Sequence, residues 1–322
     1  MNIQTAVRAP RPIETVNSFA AEVIAGLTAT PKHLPPKYFY DLAGSALFDR
    51  ITRLPEYYPT RSELGLLSQH APAMASLFPP GCALLEFGSG SSRKARILLR
   101  AAARVEAYVP VDISGDFLQQ DAARLRRDFP HLAVYPVVAD FTMMTEPPAE
   151  TAAKPRAGFF PGSTIGNFEP HEAAGFLRRA GRILGAGSLF VVGVDLVKAP
   201  DILYRAYNDA EGVTAKFNLN LLARINRELG ANFNLAAFAH HAFYNAERHR
   251  IEMHLASTKR QQVLIRDTTI EFRAGETIHT ENSYKYSIDS FQALAHGGGW
   301  SPLAAWTDGL FSVHVLRMTD DG

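Results

Sequence analysis

The stretch Ala83-Leu84-Leu85-Glu86-Phe87-Gly88-Ser89-Gly90-Ser91-Ser92 constrains the fold of this chain more than any other, because an apolar run ends in Gly-x-Gly and opens onto a helical pattern. Such a join lets backbone come close to a nucleotide-like ligand: Gly88 and Gly90 carry no Cβ and can take angles closed to other residues. The helix expected from Ser91 then offers free N–H groups to an electronegative ligand edge. Two further apolar runs end in carboxylates, 105–111 before Asp112 and 132–139 before Asp140. Acids at the carboxyl ends of strands lie where a doubly wound sheet binds its ligands.

A dinucleotide fingerprint would need a third glycine where Arg93 stands, which weakens the case for hydride chemistry. S-adenosyl-L-methionine has no pyrophosphate to cradle. Its sites need the glycine turn, an acid for the ribose hydroxyls and a polar contact to the adenine edge, and Gly88, Asp112 and Asp140 supply these in order. A helix cap or a solvated strand end is the plainer account of each acid taken singly.

Strands and helices alternate over 82–195: strands at 83–87, 105–111, 132–139, 158–160 and 189–194, with helices from Ser91, Ser114 and His171. That order implies an α/β fold, a mostly parallel Rossmann-like sheet with helices on both faces. The helix from Ser114 sets Phe117, Leu118, Ala122, Leu125 and Phe129 on one apolar stripe, with Arg124, Arg126 and Arg127 facing out. Beyond Asp195 the alternation stops. Residues 201–229 read as two helices, and 242–244, 250–256, 262–265 and 269–272 as antiparallel strands. A helix near 290–295 and the runs 303–306 and 310–316 resume the sheet, so an insertion of roughly ninety residues is long enough for a second lobe. Residues 1–14 read as a poorly ordered lead and 16–27 as a helix. The segments 31–40 and 54–59 are punctuated by proline and crowded with aromatics, a composition that suits a loop covering a pocket. Thr60 and Glu63 form a capping-box pattern for a helix to about residue 77. The expected domains are therefore a cofactor-binding domain, 62–195 plus 287–322, and an α+β substrate-binding lobe, 15–61 plus 196–286.

With 322 residues, 47% of them hydrophobic, the chain can bury a large core. Its net charge of +1 carries no footprint for nucleic acid or an anionic membrane, so small-molecule partners are expected. A monomer is expected, although nothing in the sequence fixes the oligomeric state. The sole cysteine, Cys82, excludes an intrachain disulfide. No apolar stretch approaches a membrane span and the polar start lacks a signal-peptide core, which points to the cytoplasm. His240, His241 and His249 lack carboxylate or cysteine partners at ligand-like spacing, so no metal is expected.

The run at 158–160 leads into Pro161-Gly162-Ser163-Thr164-Ile165-Gly166-Asn167-Phe168, at the place where a sheet of this kind presents an acceptor. The Asn167 amide can both donate and accept, although a helix cap is an equally good account of it. In the insertion, Tyr207, and Glu281 with Ser283, stand where the local pattern does not demand them. In a strand Glu281 and Ser283 share a face and could read a ligand with two polar edges, such as an imidazole; a solvated strand face is the alternative.

Gly26-Leu27-Thr28-Ala29-Thr30-Pro31-Lys32, Ile51-Thr52-Arg53-Leu54-Pro55-Glu56-Tyr57-Tyr58-Pro59-Thr60-Arg61, Gly162-Ser163-Thr164-Ile165-Gly166-Asn167 and Arg250-Ile251-Glu252-Met253 resemble the histidine Nα-methyltransferases of ergothioneine biosynthesis. The likeness runs from about residue 20 to the C-terminus. It implies a class I methyltransferase fold with a separate substrate lobe, and three S-adenosyl-L-methionine-dependent methyl transfers to the α-amine of L-histidine, giving hercynine. It further implies cofactor contacts at Gly88, Lys94, Asp112, Asp140 and Phe141. On the substrate side it implies Tyr57, Gly162, Asn167, Tyr207, Met253, Glu281 and Ser283, with Tyr40 close to the amine. In that family pattern Asn167 and Tyr207 hold the α-carboxylate, and Glu281 with Ser283 reads the imidazole. A methyltransferase for another aromatic amino acid would share the fold and cofactor site, but a carboxylate at 281 gains less from an indole or phenol than from an imidazole N–H. An adenosine-binding module without activity is the remaining reading, and the acceptor segment at Asn167 speaks against it.

Overall fold

In the computed structural model of the chain, residues 12–319 are described. Most of the expected lead, 1–11 of 1–14, lies outside the described residues, while 12–14 already belong to helix α1 (Pro12–Thr28). The chain divides into two compact units, 12–57 with 199–282 and 58–198 with 283–319. The first unit starts with α1, a short strand β1 (Lys32–His33) and helix α2 (Leu42–Ile51). Asp41 caps α2 by accepting from the Gly44 N–H at 2.7 Å, which satisfies one of the orphan donors at the helix start.

The second unit opens with helix α3 (Tyr58–Leu77), followed by β2 (Cys82–Phe87), α4 (Arg93–Ala101), β3 (Val105–Asp112) and α5 (Gly115–Asp128). It continues with β4 (Ala133–Val134), β5 (Val137–Val138), β6 (Arg156–Phe160), α6 (Pro170–Leu184) and β7 (Leu189–Asp195). The expected boundary between 61 and 62 falls inside α3. Nor do Thr60 and Glu63 form a capping box, because the helix begins before them and the Glu63 carboxylate is engaged elsewhere. The strand expected over 132–139 is split into β4 and β5 around Tyr135-Pro136, since Pro136 has no N–H for a ladder. On α5, Leu118, Ala122, Leu125 and Phe129 are buried, but Phe117 is 37% exposed: the 4-3-4 spacing of the other four makes the stripe, and 117 lies off it.

Helices α7 (Pro200–Tyr207) and α8 (Val213–Leu229) belong to the first unit, with β8 (Phe238–Asn245), β9 (Arg250–Ser257), β10 (Gln261–Ile265), β11 (Thr268–Phe272) and most of β12 (Thr277–Tyr284). The four antiparallel strands read from sequence do not form one sheet. β8 and β9 join β12 and β1 in the order β1-β12-β9-β8, with β1 parallel to β12, and β10-β11 is a separate hairpin. Helix α9 (Ile288–Gly297), β13 (Trp300–Thr307) and β14 (Phe311–Met318) complete the second unit.

Its sheet runs β13-β14-β7-β6-β2-β3-β4, with β5 also on β3. β14 is antiparallel to both its neighbours and the pairs from β7 to β5 are parallel. Alternate residues serve opposite faces. Leu84 and Tyr108 pack with Leu67, Leu98 and Leu125 from α3, α4 and α5, whereas Leu85, Phe87 and Val109 pack with Phe176 and Phe291 from α6 and α9. Near-continuous burial along β2 and β7 is what a parallel strand covered on both faces requires. Cys82 is fully buried in this core, and burial pushes its thiol up to about 11. Among the described residues no helix is long and apolar enough to cross a membrane.

His314, on β14, has no exposed surface; Ser312 is its hydrogen-bond partner at 2.9 Å, and Phe291 lies against its ring. Burial pushes the imidazole down to about 4. Between the ordinary value of about 6.5 and about 4 the unfolded chain therefore binds a proton that the folded chain refuses, and stability falls as pH drops through that window. The cost attributable to this group grows to about 3 kcal/mol below it. Urea unfolding at pH 7.5 and 4.5 should show a markedly smaller loss for His314→Gln than for the unsubstituted chain; equal losses would clear His314 of the effect.

Candidate active site

The carboxyl ends of β3, β2, β6 and β7 lie side by side, and the sheet order reverses between β2 and β6. A crevice outside such a switch point is where open α/β sheets hold ligands. Gly88, just past β2, has φ +72°, and a Cβ there would meet the Phe141 ring at 3.3 Å, so the turn needs glycine twice over. The turn is held from the side and from below. Asp112 accepts from the Gly90 N–H at 2.9 Å with one oxygen and from the Ser114 N–H at 2.8 Å with the other. Beneath, the Tyr108 hydroxyl bonds Glu86 and reaches Ser92 Oγ at 3.1 Å, fixing Ser92 in the left-handed region at the entry to α4. Burial pushes the Glu86 carboxyl up to about 8, against the opposing hydrogen bond from Tyr108. Sequence reasoning passed over Glu86, although an acid inside an otherwise apolar strand was the signal that could have found it.

The donor set fits an adenosine-type ligand. Each Asp112 oxygen is bound by a single N–H in these contacts and can accept further hydrogen bonds from a diol. Asp140 holds its own loop by accepting from Thr142 N–H and Oγ1 at 2.9 and 2.5 Å. Phe141 is half-buried on Phe160 and Phe176, while Ile113 and Met143 remain exposed at the same edge of the sheet.

Beyond β6, Gly162 (φ +83°) and the short 3-10 turn Thr164–Asn167 form the acceptor segment. Asn167 is not the cap of α6. That role falls to Glu169, whose N–H donates to Glu172 at 2.9 Å and whose carboxylate accepts from the Tyr284 hydroxyl at 2.6 Å. Both oxygens of Glu63, which is fully buried, accept from the Gly162 N–H at 2.9 Å, and Lys94 Nζ lies 2.5 Å from the same carboxylate. Lys94 is thus tied to the acceptor segment through a residue that the sequence offered only as a helix cap.

Ser283 also belongs to this unit, while Tyr40, Tyr57, Tyr207, Met253 and Glu281 belong to the first. There Tyr40, Phe48, Tyr57 and Tyr207 form a run of edge-to-face rings with centroids 5.6, 6.3 and 6.4 Å apart. Behind them lies a buried polar chain. His240 Nε2 donates to the Tyr207 carbonyl at 2.9 Å and its Nδ1 accepts from Asn218, which also receives the Thr280 hydroxyl; that hydroxyl is 3.0 Å from the Met253 carbonyl. The bonds fix the neutral Nε2–H form of His240, and burial lowers its pKa in the same sense. Glu252, His254 and His279 offer ligand atoms within 4.8 Å of one another, but the two imidazoles stack with an interplanar angle of 23°, so their lone pairs run side by side and do not converge on one ion. Burial pushes the Glu252 carboxyl up, yet bonds from Arg250, Asn245 and His254 outweigh it and hold it at about 2. This group is an ion-paired stack, poorly shaped for a metal.

The glycine turn, the acids ending β3 and following β5, and a parallel sheet closed by one antiparallel strand define a class I S-adenosyl-L-methionine-dependent methyltransferase. Comparison with known proteins narrows the class. The profile of the family described as histidine-specific methyltransferase, SAM-dependent, matches residues 19–318, and the chain belongs to that family. It is 42% identical over 293 residues to the histidine N-alpha-methyltransferase of Mycobacterium tuberculosis, covering 89% of this chain and 90% of that protein. With its counterpart in Mycolicibacterium smegmatis it shares 41% over 297 residues, again 89% of this chain and 90% of the relative. Ergothioneine biosynthesis protein 1 of Neurospora crassa is 31% identical over 300 residues, 89% of this chain but 33% of that longer protein. The chain is an amino-acid N-methyltransferase that uses S-adenosyl-L-methionine.

A Cβ at position 193 would stand 2.1 Å from Glu63 Oε1, so the cavity for this carboxylate exists only because β7 carries Gly193. Glu63→Ala, which strands the Gly162 N–H and Lys94, should cost at least about 2 kcal/mol. Gly193→Ala should be destabilising alone and much less so when combined with Glu63→Ala, because the clash is with the side chain removed. A four-member urea-unfolding cycle measures this, and simple additivity would refute the contact.

Proposed function

We propose that this enzyme trimethylates the α-amine of L-histidine, forming hercynine and three molecules of S-adenosylhomocysteine, as a cytoplasmic step of ergothioneine biosynthesis. The observation that carries the reading is the run of rings Tyr40, Phe48, Tyr57 and Tyr207. The α-nitrogen ends the reaction as a permanent cation, and aromatic faces attract such a cation by about 0.5–2 kcal/mol each once water is excluded. The relatives at 42% and 41% identity are named histidine N-alpha-methyltransferases, which supports the α-amine of histidine as the acceptor.

When bound, S-adenosyl-L-methionine supplies a methyl on a sulfonium that an uncharged amine can displace in line. The protein's work is then to hold reactants and to leave the amine unprotonated. We assign Gly88, Asp112, Asp140 and Phe141 to the cofactor, Asp112 taking the ribose hydroxyls. Lys94 supports the same side through Glu63 and Gly162. Asn167 and Tyr207 are assigned to the α-carboxylate, Tyr40 and Tyr57 to the amine, Met253 to the ring's apolar edge, and Glu281 and Ser283 to the imidazole nitrogens. No strong base is assigned at the amine; it loses its proton before binding or through a water beside Tyr40.

Incubation with radiolabelled S-adenosyl-L-methionine and a panel of amino acids tests the whole reading, with hercynine as the expected product; label appearing on tryptophan or tyrosine in preference would overturn it. Asn167→Ala should retain cofactor affinity and lose turnover by about a hundredfold or more, since orientation carries several kcal/mol of such a barrier. Near-normal turnover at saturating histidine would remove that role. Glu281→Ala should lose histidine selectively, by about 1–3 kcal/mol in kcat/KM, while tryptophan and tyrosine hold or gain. Specificity constants for the three amino acids measure it, and an equal fall in all three would make Glu281 structural.

A further inference from the structure

Asp195, at the end of β7, is 1% exposed and is bound by two ammonium groups. Its carboxylate is bound by Lys198 Nζ at 2.5 Å, by Lys285 Nζ at 2.8 Å and by the Tyr58 hydroxyl at 2.7 and 2.8 Å. Lys198 also donates to the Tyr58 hydroxyl at 2.7 Å. Lys285, itself 1% exposed at its side chain, reaches on to Ser283 Oγ at 2.6 Å. Two buried ammonium groups thus meet on the Asp195 carboxylate, which holds Lys285 where it can reach Ser283.

We infer that Lys285 is a positioning residue that fixes the Ser283 hydroxyl as a hydrogen-bond donor toward the substrate ring, and thereby selects the neutral imidazole over the imidazolium. An ammonium can only donate, so in the Lys285–Ser283 bond the serine oxygen accepts and its own proton is what it gives to a further partner. A neutral imidazole has one N–H and one lone pair: the N–H suits the Glu281 carboxylate and the lone pair suits the Ser283 hydroxyl. An imidazolium has two N–H groups and meets a donor at Ser283 where it needs an acceptor. The inference rests on the assignment of Glu281 and Ser283 to the ring made above.

The charged and titratable groups around Lys285 include Asp195 from β7, Lys198 beyond it and Tyr58 from α3, with Asp308 acting on Lys198. Burial pushes Lys198 down to about 8, against the opposing pull of Asp195.

Hercynine is the suitable probe, because its trimethylated nitrogen cannot titrate and only its ring does. Its affinity for the S-adenosylhomocysteine complex is measured by titration calorimetry at pH 7.5 and 5.5. With an imidazole near its ordinary value of about 6.5, the neutral form falls about tenfold across that interval, and affinity for the unsubstituted enzyme should fall with it. Lys285→Met should bind more weakly at pH 7.5 and lose most of the pH dependence, with unchanged affinity for S-adenosylhomocysteine. Ser283→Ala, which leaves the Lys285–Asp195 pair intact, should flatten the dependence likewise, and adding Lys285→Met to it should change nothing more. If Lys285→Met does not fold, the unsubstituted enzyme and Ser283→Ala still decide the matter. Affinity that is equal at both pH values in the unsubstituted enzyme, or a tenfold fall that survives in Lys285→Met or Ser283→Ala, overturns the inference while leaving histidine turnover intact. Failure of the unsubstituted enzyme to bind hercynine or turn over histidine would instead overturn the assignment beneath it.

Discussion

The buried carboxylate of Glu63 ties the catalytic half of the molecule together. Reaching from α3, it takes the Gly162 N–H with both oxygens and Lys94 with one, so three separated stretches of chain meet on one group. The left-handed turn at Gly162 that leads to Asn167 would otherwise leave a partly buried donor unmade, and such a group costs about as much as a lost hydrogen bond. Gly193 on β7 makes the room. The place where methyl acceptor chemistry is proposed is thus set by a residue that is assigned to neither ligand.

The fold was legible where physics is local and periodic. Runs ending in Gly88, Asp112 and Asp140, with helical patterns between them, led to a parallel sheet with those residues at its carboxyl edge. Errors arose where a longer-range bond or a backbone defect decides. Pro136 breaks a strand that hydropathy shows as whole, and β1 joins β12 in parallel across more than two hundred residues, a pairing that no window of sequence contains. The Thr60–Glu63 pattern is a helix-start signal in isolation, yet Glu63 is spent on Gly162.

The site divides in the same way. Residues assigned above to a ligand, such as Asp112 and Asn167, can be picked out because each closes an apolar run or sits in a glycine turn. Those that hold these residues in place cannot. His240, Asn218 and Thr280 form a chain behind Tyr207 and Met253, but in sequence they are a histidine next to another histidine, an asparagine inside a helix and a threonine in a strand. Asp195 looked like the end of an apolar run, and only the packing of Lys198, Lys285 and Tyr58 around it reveals a charged centre.

The state of Cys82 has a practical side. With no exposed surface and its thiolate disfavoured at physiological pH, the only thiol in the chain is blank to alkylating and oxidising reagents while the protein is folded. One cysteine placed at an exposed position such as Leu303 would therefore be the sole reactive handle, giving a single-site attachment point for a fluorophore or spin label without first stripping the native sequence. Conversely, the appearance of reactive thiol in the unsubstituted protein would report the opening of its core directly.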